Sequence, residues 1–178
     1  MKIFEDIKDK ILAYKVSKHP VQQAAFPNYD SIRSVLILFE SDLLEKNSTI
    51  MQLRDELLKD EKDVVLLGYA DKKEIQSLVL PQRRILGQRD LTFWGGLQEN
   101  IINDLTARQY DLLIDLTQHD VRPLLYAACY AKTEFKTGLK RDLPLYQFMV
   151  EMAPLQDPSF LFNQILFYLR NIHSNDKK

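Results

Sequence analysis

Apolar residues change their period along this chain, and each change marks an element. Ile3, Phe4, Ile7, Ile11 and Tyr14 recur at helical spacing with Lys, Asp and Glu between them. That pattern predicts an amphipathic helix over about residues 2–17, ending before His19-Pro20. Such a helix either packs on a domain or projects toward a partner, and packing is the commoner use. Residues 1–19 therefore read as an N-terminal helix and 20–178 as a single α/β domain. Pro20 to Ser31, with Pro27, Asn28 and Asp30, reads as a connecting loop.

Ile32–Phe39 (IRSVLILF) is a short, β-branched, nearly continuous apolar run, the signature of a strand buried on both faces. A helix follows between Leu43 and Lys59, burying Leu43, Ile50, Leu53, Leu57 and Leu58, and Thr49 with Gln52 has capping-box spacing that favours a late start. Asp63–Tyr69 (DVVLLGY) is the second strand, so the three elements form a βαβ unit. Residues 71–96 are locally basic through Lys72, Lys73, Arg83, Arg84 and Arg89 and broken by Pro81, Gly87, Gly95 and Gly96; one short strand is expected at Arg83–Leu86. Next come a helix over Leu97–Arg108, a strand at Leu112–Leu116, a helix over Val121–Ala131, and strands at Glu134–Thr137 and Tyr146–Val150. A last helix runs from Pro158 to Ile172, with Asp157 as N-cap and proline at its first position. Near-continuous apolar strands need cover on both sides, and the alternating helices supply it. The expectation is a three-layer α/β sandwich: a mostly parallel sheet in Rossmann-like or flavodoxin-like order.

The last helix carries Phe160, Leu161, Phe162, Ile165, Leu166, Phe167, Tyr168, Leu169 and Ile172, more apolar surface than one sheet face covers. Burial in the core explains most of it, and the excess predicts a homodimer through this helix.

Charge and composition narrow the function. With 24 basic and 25 acidic side chains and a net charge of −1, the chain has no bulk positive field to collect nucleic acid. The single cysteine, Cys129, excludes an intramolecular disulfide framework and sits in LLYAACYA as a buried, inert thiol. The acidic residues in MKIFEDIKDKILAYK interrupt what a signal peptide would keep apolar, and no run approaches the ~20 apolar residues of a membrane span. A cytoplasmic, soluble domain without membrane insertion is expected.

The candidate chemistry lies beyond the strand ending at Asp115, because ligands of open α/β sheets bind past the carboxyl ends of the strands. The first strand leads into Glu40-Ser41-Asp42, with no glycine and with two carboxylates that would repel a phosphate, and no Walker motif is present. His19, His119 and His173 lie far apart, so no metal is expected, and no cofactor is assigned. The turn with Asp115, Thr117, Gln118, His119, Asp120 and Arg122 gathers carboxylate, imidazole and guanidinium groups suited to acid–base work or to gripping a small ligand. A local reading competes: Asp120 caps the next helix, Arg122 pairs with a carboxylate, and Asp115 bonds backbone amides. The rim is expected at Glu40–Asp42, Gly68–Lys72 and Asp115–Arg122, with Asp115, Thr117, His119 and Arg122 as ligand contacts. Phe93-Trp94-Gly95-Gly96 either stacks a ring or anchors its loop to the sheet.

The segment from Tyr110 to Arg141 resembles the N-terminal half of bacterial heptosyltransferases of the GT-B class, which carry YDLVIDLxG, a helix, and a short strand of the type RIGFDR. Tyr110, Asp111, Asp115, Leu116, Gly138 and Arg141 match; the turn glycine is replaced by Gln118, and the nearby basic residue is displaced to Arg122. The resemblance implies the fold and, as one alternative, a reduced glycosyltransferase-related enzyme that binds a nucleotide sugar with a second subunit. The family's donor site lies mainly in a second Rossmann-like domain, for which 178 residues leave no room. The whole chain, including LLGYADKKEI and RDLTFWG, is similar to an uncharacterised bacterial family of single-domain proteins. The leading expectation is a non-catalytic domain that acts through a protein partner or a small bound ligand.

Overall fold

The structure, a computed structural model, describes residues 2–41, 47–71, 78–153 and 157–172. Expectations that fall on Asp42, Leu43, Lys72, Lys73 and His173 lie outside the described residues. In chain order the elements are α1 (Lys2–Lys18), β1 (Ser34–Glu40), α2 (Asn47–Lys59), β2 (Asp63–Tyr69), β3 (Leu78–Leu80), β4 (Arg83–Leu86), α3 (Glu99–Ala107), β5 (Gln109–Asp115), α4 (Arg122–Tyr130), β6 (Lys132–Leu139), β7 (Phe148–Val150) and α5 (Pro158–Asn171). The seven strands lie in the order β3-β4-β2-β1-β5-β6-β7, every neighbouring pair parallel except β3 with β4. Numbered among themselves, the six parallel strands read 3-2-1-4-5-6, the Rossmann order, and the chain reverses direction across the sheet between β1 and β5.

Period-two alternation assigns each strand residue to a layer. Val35, Ile37 and Phe39 of β1, with Leu112 and Ile114 of β5, pack under α2 and α5. Leu36, Leu38 and Leu113 pack under α1, α3 and α4. Gly68 of β2 is the tight point of the first layer, since a Cβ there would lie 2.7 Å from both Ile85 and Phe39. Helix α5 starts as its sequence predicts, with Asp157 accepting the Phe160 N–H at 3.0 Å and Pro158 opening the first turn.

Several details differ from expectation for local reasons. Thr49 lies inside α2 rather than at its cap, and Leu58 is exposed because Ile50, Leu53 and Leu57 already form the packed face. Strand β7 begins late because the Gln147 side chain takes the Lys136 N–H at 2.7 Å, and the residue before it, Tyr146, turns inward. Helix α1 does pack, but through Leu12 and Val16 against α4, not through its stripe of Ile3, Phe4, Ile7 and Tyr14, which is exposed. Among the described residues no helix is long and apolar enough to cross a membrane.

Candidate functional site

The ladder continues past the strand ends: Ser41 N–H bonds Tyr69 O, Ala70 N–H bonds Leu86 O, and Leu116 N–H bonds Leu38 O. These bonds hold the loops after β1, β2, β4 and β5 in line. Above them, on the α4 side of the switch point, is a cleft of about 690 Å³. All three expected loops contribute, through Glu40 and Ser41, Tyr69 and Asp71, and Asp120 to Arg122. Two further walls were not legible: α1, through Glu5 and Lys8, and the loop with Gln88, Thr92 and Phe93. A smaller hollow of about 390 Å³ lies on the α2/α5 side, lined by Phe39, Thr49, Ile50, Leu116, His119 and Pro158 among others. Glu40 and Ser41 border both.

A latch lies between the two. One oxygen of the Glu40 carboxylate accepts the consecutive backbone N–H groups of Gln118 and His119, at 3.0 and 2.9 Å, and His119 Nδ1 lies 3.1 Å from the other oxygen. Adjacent N–H groups converging on one point form an anion-binding nest. Here the chain fills that nest with its own carboxylate, at the place where a Rossmann-type domain receives its ligand.

The four expected contact residues do not share one cavity. Asp115 and Thr117 are fully buried beneath the cleft floor. The Asp115 carboxylate accepts the Thr117 N–H at 2.9 Å and the Tyr146 hydroxyl, while the Arg141 guanidinium stands 3.8 Å away. Arg141 also donates to Asp120 and to the Thr117 hydroxyl and carbonyl, the last at 2.9 Å, and its buried Nε has no partner. Gly138 sits opposite Asp115 in register, and a Cβ there would come within 3.1 Å of the Asp115 Cβ and 3.3 Å of the Tyr146 ring. Glycine is thus what lets the phenol reach the carboxylate. Burial pushes the Asp115 carboxyl above its usual range against the pull of Arg141, and burial with the Asp115 charge pushes the Tyr146 phenol well up. His119 points to Glu40 and borders the smaller hollow. Arg122 lines the larger cleft from the other side and is held by α1, with NH2 at 2.7 Å from Asp9 and 3.0 Å from Glu5.

Among its described lining residues the larger cleft carries more carboxylates than cations, and those cations are paired. Glu5, Glu40, Asp71 and Asp120 line it; of the two cations among the described lining residues, Lys8 pairs with Glu5 at 3.0 Å and Arg122 with Glu5 and Asp9. Asp71 accepts from Tyr69 at 3.3 Å and from Gln88. At the mouth Phe93 is 81% exposed and meets Trp94 edge to face at 5.2 Å. Trp94, itself exposed, does not anchor the loop to the sheet. Among the described residues no group of three or more His, Cys, Asp or Glu is placed to hold a metal ion. Cys129 is buried, and burial raises its thiol.

Fold and site together define a Rossmann-ordered α/β domain whose switch-point crevice is bridged by its own side chains. A family model described as "Family of unknown function (DUF6913)" matches residues 6–172, and the chain belongs to that family. No curated protein matches it in sequence. Among solved structures it is similar to "E. coli heptosyltransferase WaaC with ADP", at a TM-score of 0.47 and 14% identity. That match covers 82% of this chain and 49% of the enzyme's, so the chain spans about half of that protein's length.

Proposed function

We propose that this chain is a non-catalytic cytoplasmic binding domain whose switch-point cleft takes a small neutral or cationic polar molecule. The observation that carries this reading is the Glu40 latch, which occupies the two N–H donors a phosphate would need. The lining argues the same way. Four carboxylates line it, Lys8 and Arg122 are spent on α1, and an anion entering the cleft meets repulsion without a free cation among the described lining residues. Each of those carboxylates already has a partner, which suits holding a ligand better than shuttling protons. In this reading Asp115 and Thr117 fix the turn from beneath, Arg122 contributes a wall, His119 steadies the latch, and the Phe93 ring offers a face to an apolar edge of the ligand.

A thermal-shift panel tests it. Nucleotides and nucleotide sugars form one arm; amines, amino sugars and neutral polyols form the other. A ligand at a hundredfold excess over its dissociation constant adds ~2.7 kcal/mol of stability. Stabilisation confined to the second arm is expected. A shift with a sugar nucleotide would overturn this reading in favour of a glycosyltransferase-related enzyme.

Self-association through α5 belongs to the same proposal. Leu161, Phe162, Ile165, Leu166 and Leu169 are consumed by the core, which leaves Phe160, Phe167 and Ile172 exposed. Light scattering should give twice 20.9 kDa at micromolar concentration and a monomer for Phe167→Ser. A monomeric wild type removes the dimer and leaves the cleft reading untouched.

A further inference from the structure

Helix α1 has two apolar faces, and the domain uses one. Leu12 and Val16 are buried, and Glu5 and Asp9 on the same side pair with Arg122. At 3.6 residues per turn, Phe4, Ile7, Ile11 and Tyr14 fall toward the far side, with Ile3 beside them. Ile3 is 73% exposed, Phe4 53% and Tyr14 58%, and none of the five packs against either core cluster. Their 3-4-3 spacing is that of a seam between two helices. A helix that lies in a lipid headgroup layer keeps its polar face rich in Lys and Arg, whereas the polar positions of α1 include Glu5, Asp6 and Asp9.

The borders of the seam carry one sign of charge. Lys15 flanks it on one side and Lys10 on the other, the Lys18 ammonium stands 5.4 Å from the Tyr14 ring centroid at its end, and Lys8 borders it beside Lys15 while paired with Glu5 at 3.0 Å. Glu5 and Asp9 are turned inward to Arg122, leaving Asp6 as the carboxylate of α1 on the outer side. Pairing with a second copy of α1 sets lysine against lysine in either direction: Lys10 against Lys15 when parallel, Lys8 against Lys15 when antiparallel. Self-pairing is thereby disfavoured, and a partner with the opposite border is favoured.

We propose that the outward face of α1 docks an amphipathic helix of another protein, one whose apolar seam is bordered by Asp and Glu. The docking uses no residue of α5 and, Lys8 apart, none of the cleft lining. A 17-residue helix is about 25 Å long, short of a large permanent interface, so the complex is weak, reversible and sensitive to salt.

The test uses the full chain and two fluorescent synthetic helices of about three heptads. Both carry leucine along the seam; one has Glu at all flanking positions and the other Lys. Fluorescence anisotropy should show the Glu-flanked helix binding at least tenfold more tightly than the Lys-flanked one, with the preference shrinking as salt is raised. Ile7→Lys should weaken that binding at least tenfold while its melting curve stays that of the wild type, because Ile7 is exposed. Failure of the Glu-flanked helix to bind, equal binding of the two helices, or binding that survives Ile7→Lys overturns the proposal. Two other results overturn it in a known direction. Co-sedimentation with vesicles of phosphatidylglycerol and phosphatidylcholine that is lost in Ile7→Lys makes the face a membrane surface, and self-association lost in Ile7→Lys makes it a dimer seam.

Discussion

Replacing Glu40 with alanine should weaken the fold and open an anion site that the native chain keeps closed. The carboxylate accepts two backbone N–H groups, at 3.0 and 2.9 Å, besides its contact with His119. Hydrogen bonds to a charged acceptor contribute about 1.5–3 kcal/mol each when fully buried. The Glu40 side chain is 36% exposed, so water re-solvates the freed donors and the loss should be about 1–2 kcal/mol in total. For a chain of this size that lowers Tm by roughly 2–8 °C. The second consequence is the diagnostic one. With the carboxylate gone, the Gln118 and His119 N–H groups form an empty nest beside the N-terminus of α4, and added inorganic phosphate should restore part of the lost stability. Calorimetry of wild type and Glu40→Ala with and without millimolar phosphate reads both effects. Wild-type protein stabilised by phosphate, or a variant indifferent to it, would refute the reasoning that Glu40 occupies the donors.

Other consequences follow from the ends of the strands. The Asp111 carboxylate accepts the Arg33 and Ser34 N–H groups at 2.7 and 2.8 Å; burial raises it, but these donors outweigh burial and hold it below its usual 3.8. Asp111→Asn should therefore cost about 1–2 kcal/mol at neutral pH, and the gap to wild type in urea melts should close as pH falls below 3.8 through the depressed value. The Tyr29 phenol, raised to about 12 by burial and by its bond to Asp60, contributes stability that is present below pH 10 and lost between 10 and about 12. Denaturant melts at pH 9 and 11.5 should show that loss in wild type and a smaller one in Tyr29→Phe. Gly68→Ala forces a methyl against Ile85 and Phe39 and should cost about 1–3 kcal/mol by overpacking; a melting curve unchanged from wild type would show that the layer yields.

How much of this was written in the sequence depends on whether the signal is local. The strands and helices were legible because each is announced by its own residues: IRSVLILF for β1, DVVLLGY for β2, and Asp157-Pro158 for the start of α5. The end of β5 at Asp115 was legible too, and with it the loops that meet at the switch point. Partnerships across the chain were not. Arg122 is held by Glu5 and Asp9, more than a hundred residues upstream, so α1 could not be read as a wall of the cleft. The burial of Asp115 depends on Tyr146 arriving from the β6–β7 connection past Gly138, a contact with no local mark. The packed side of α1 has no local mark for the same reason: its larger apolar stripe faces outward, and two residues, Leu12 and Val16, suffice to seat it. Strand β3 is three residues long and pairs antiparallel at the edge, too short to show a period.

Amide chemical-shift mapping tests the central claim most directly. Nitrogen-15-labelled protein is titrated side by side with spermidine, a cationic probe, and with ADP. The account predicts that spermidine moves the amides of Ser41, Tyr69, Gly95 and Val121 around the cleft while ADP leaves them in place. Saturable ADP shifts at Ser41, Gln118 and His119, with none from spermidine, would contradict it.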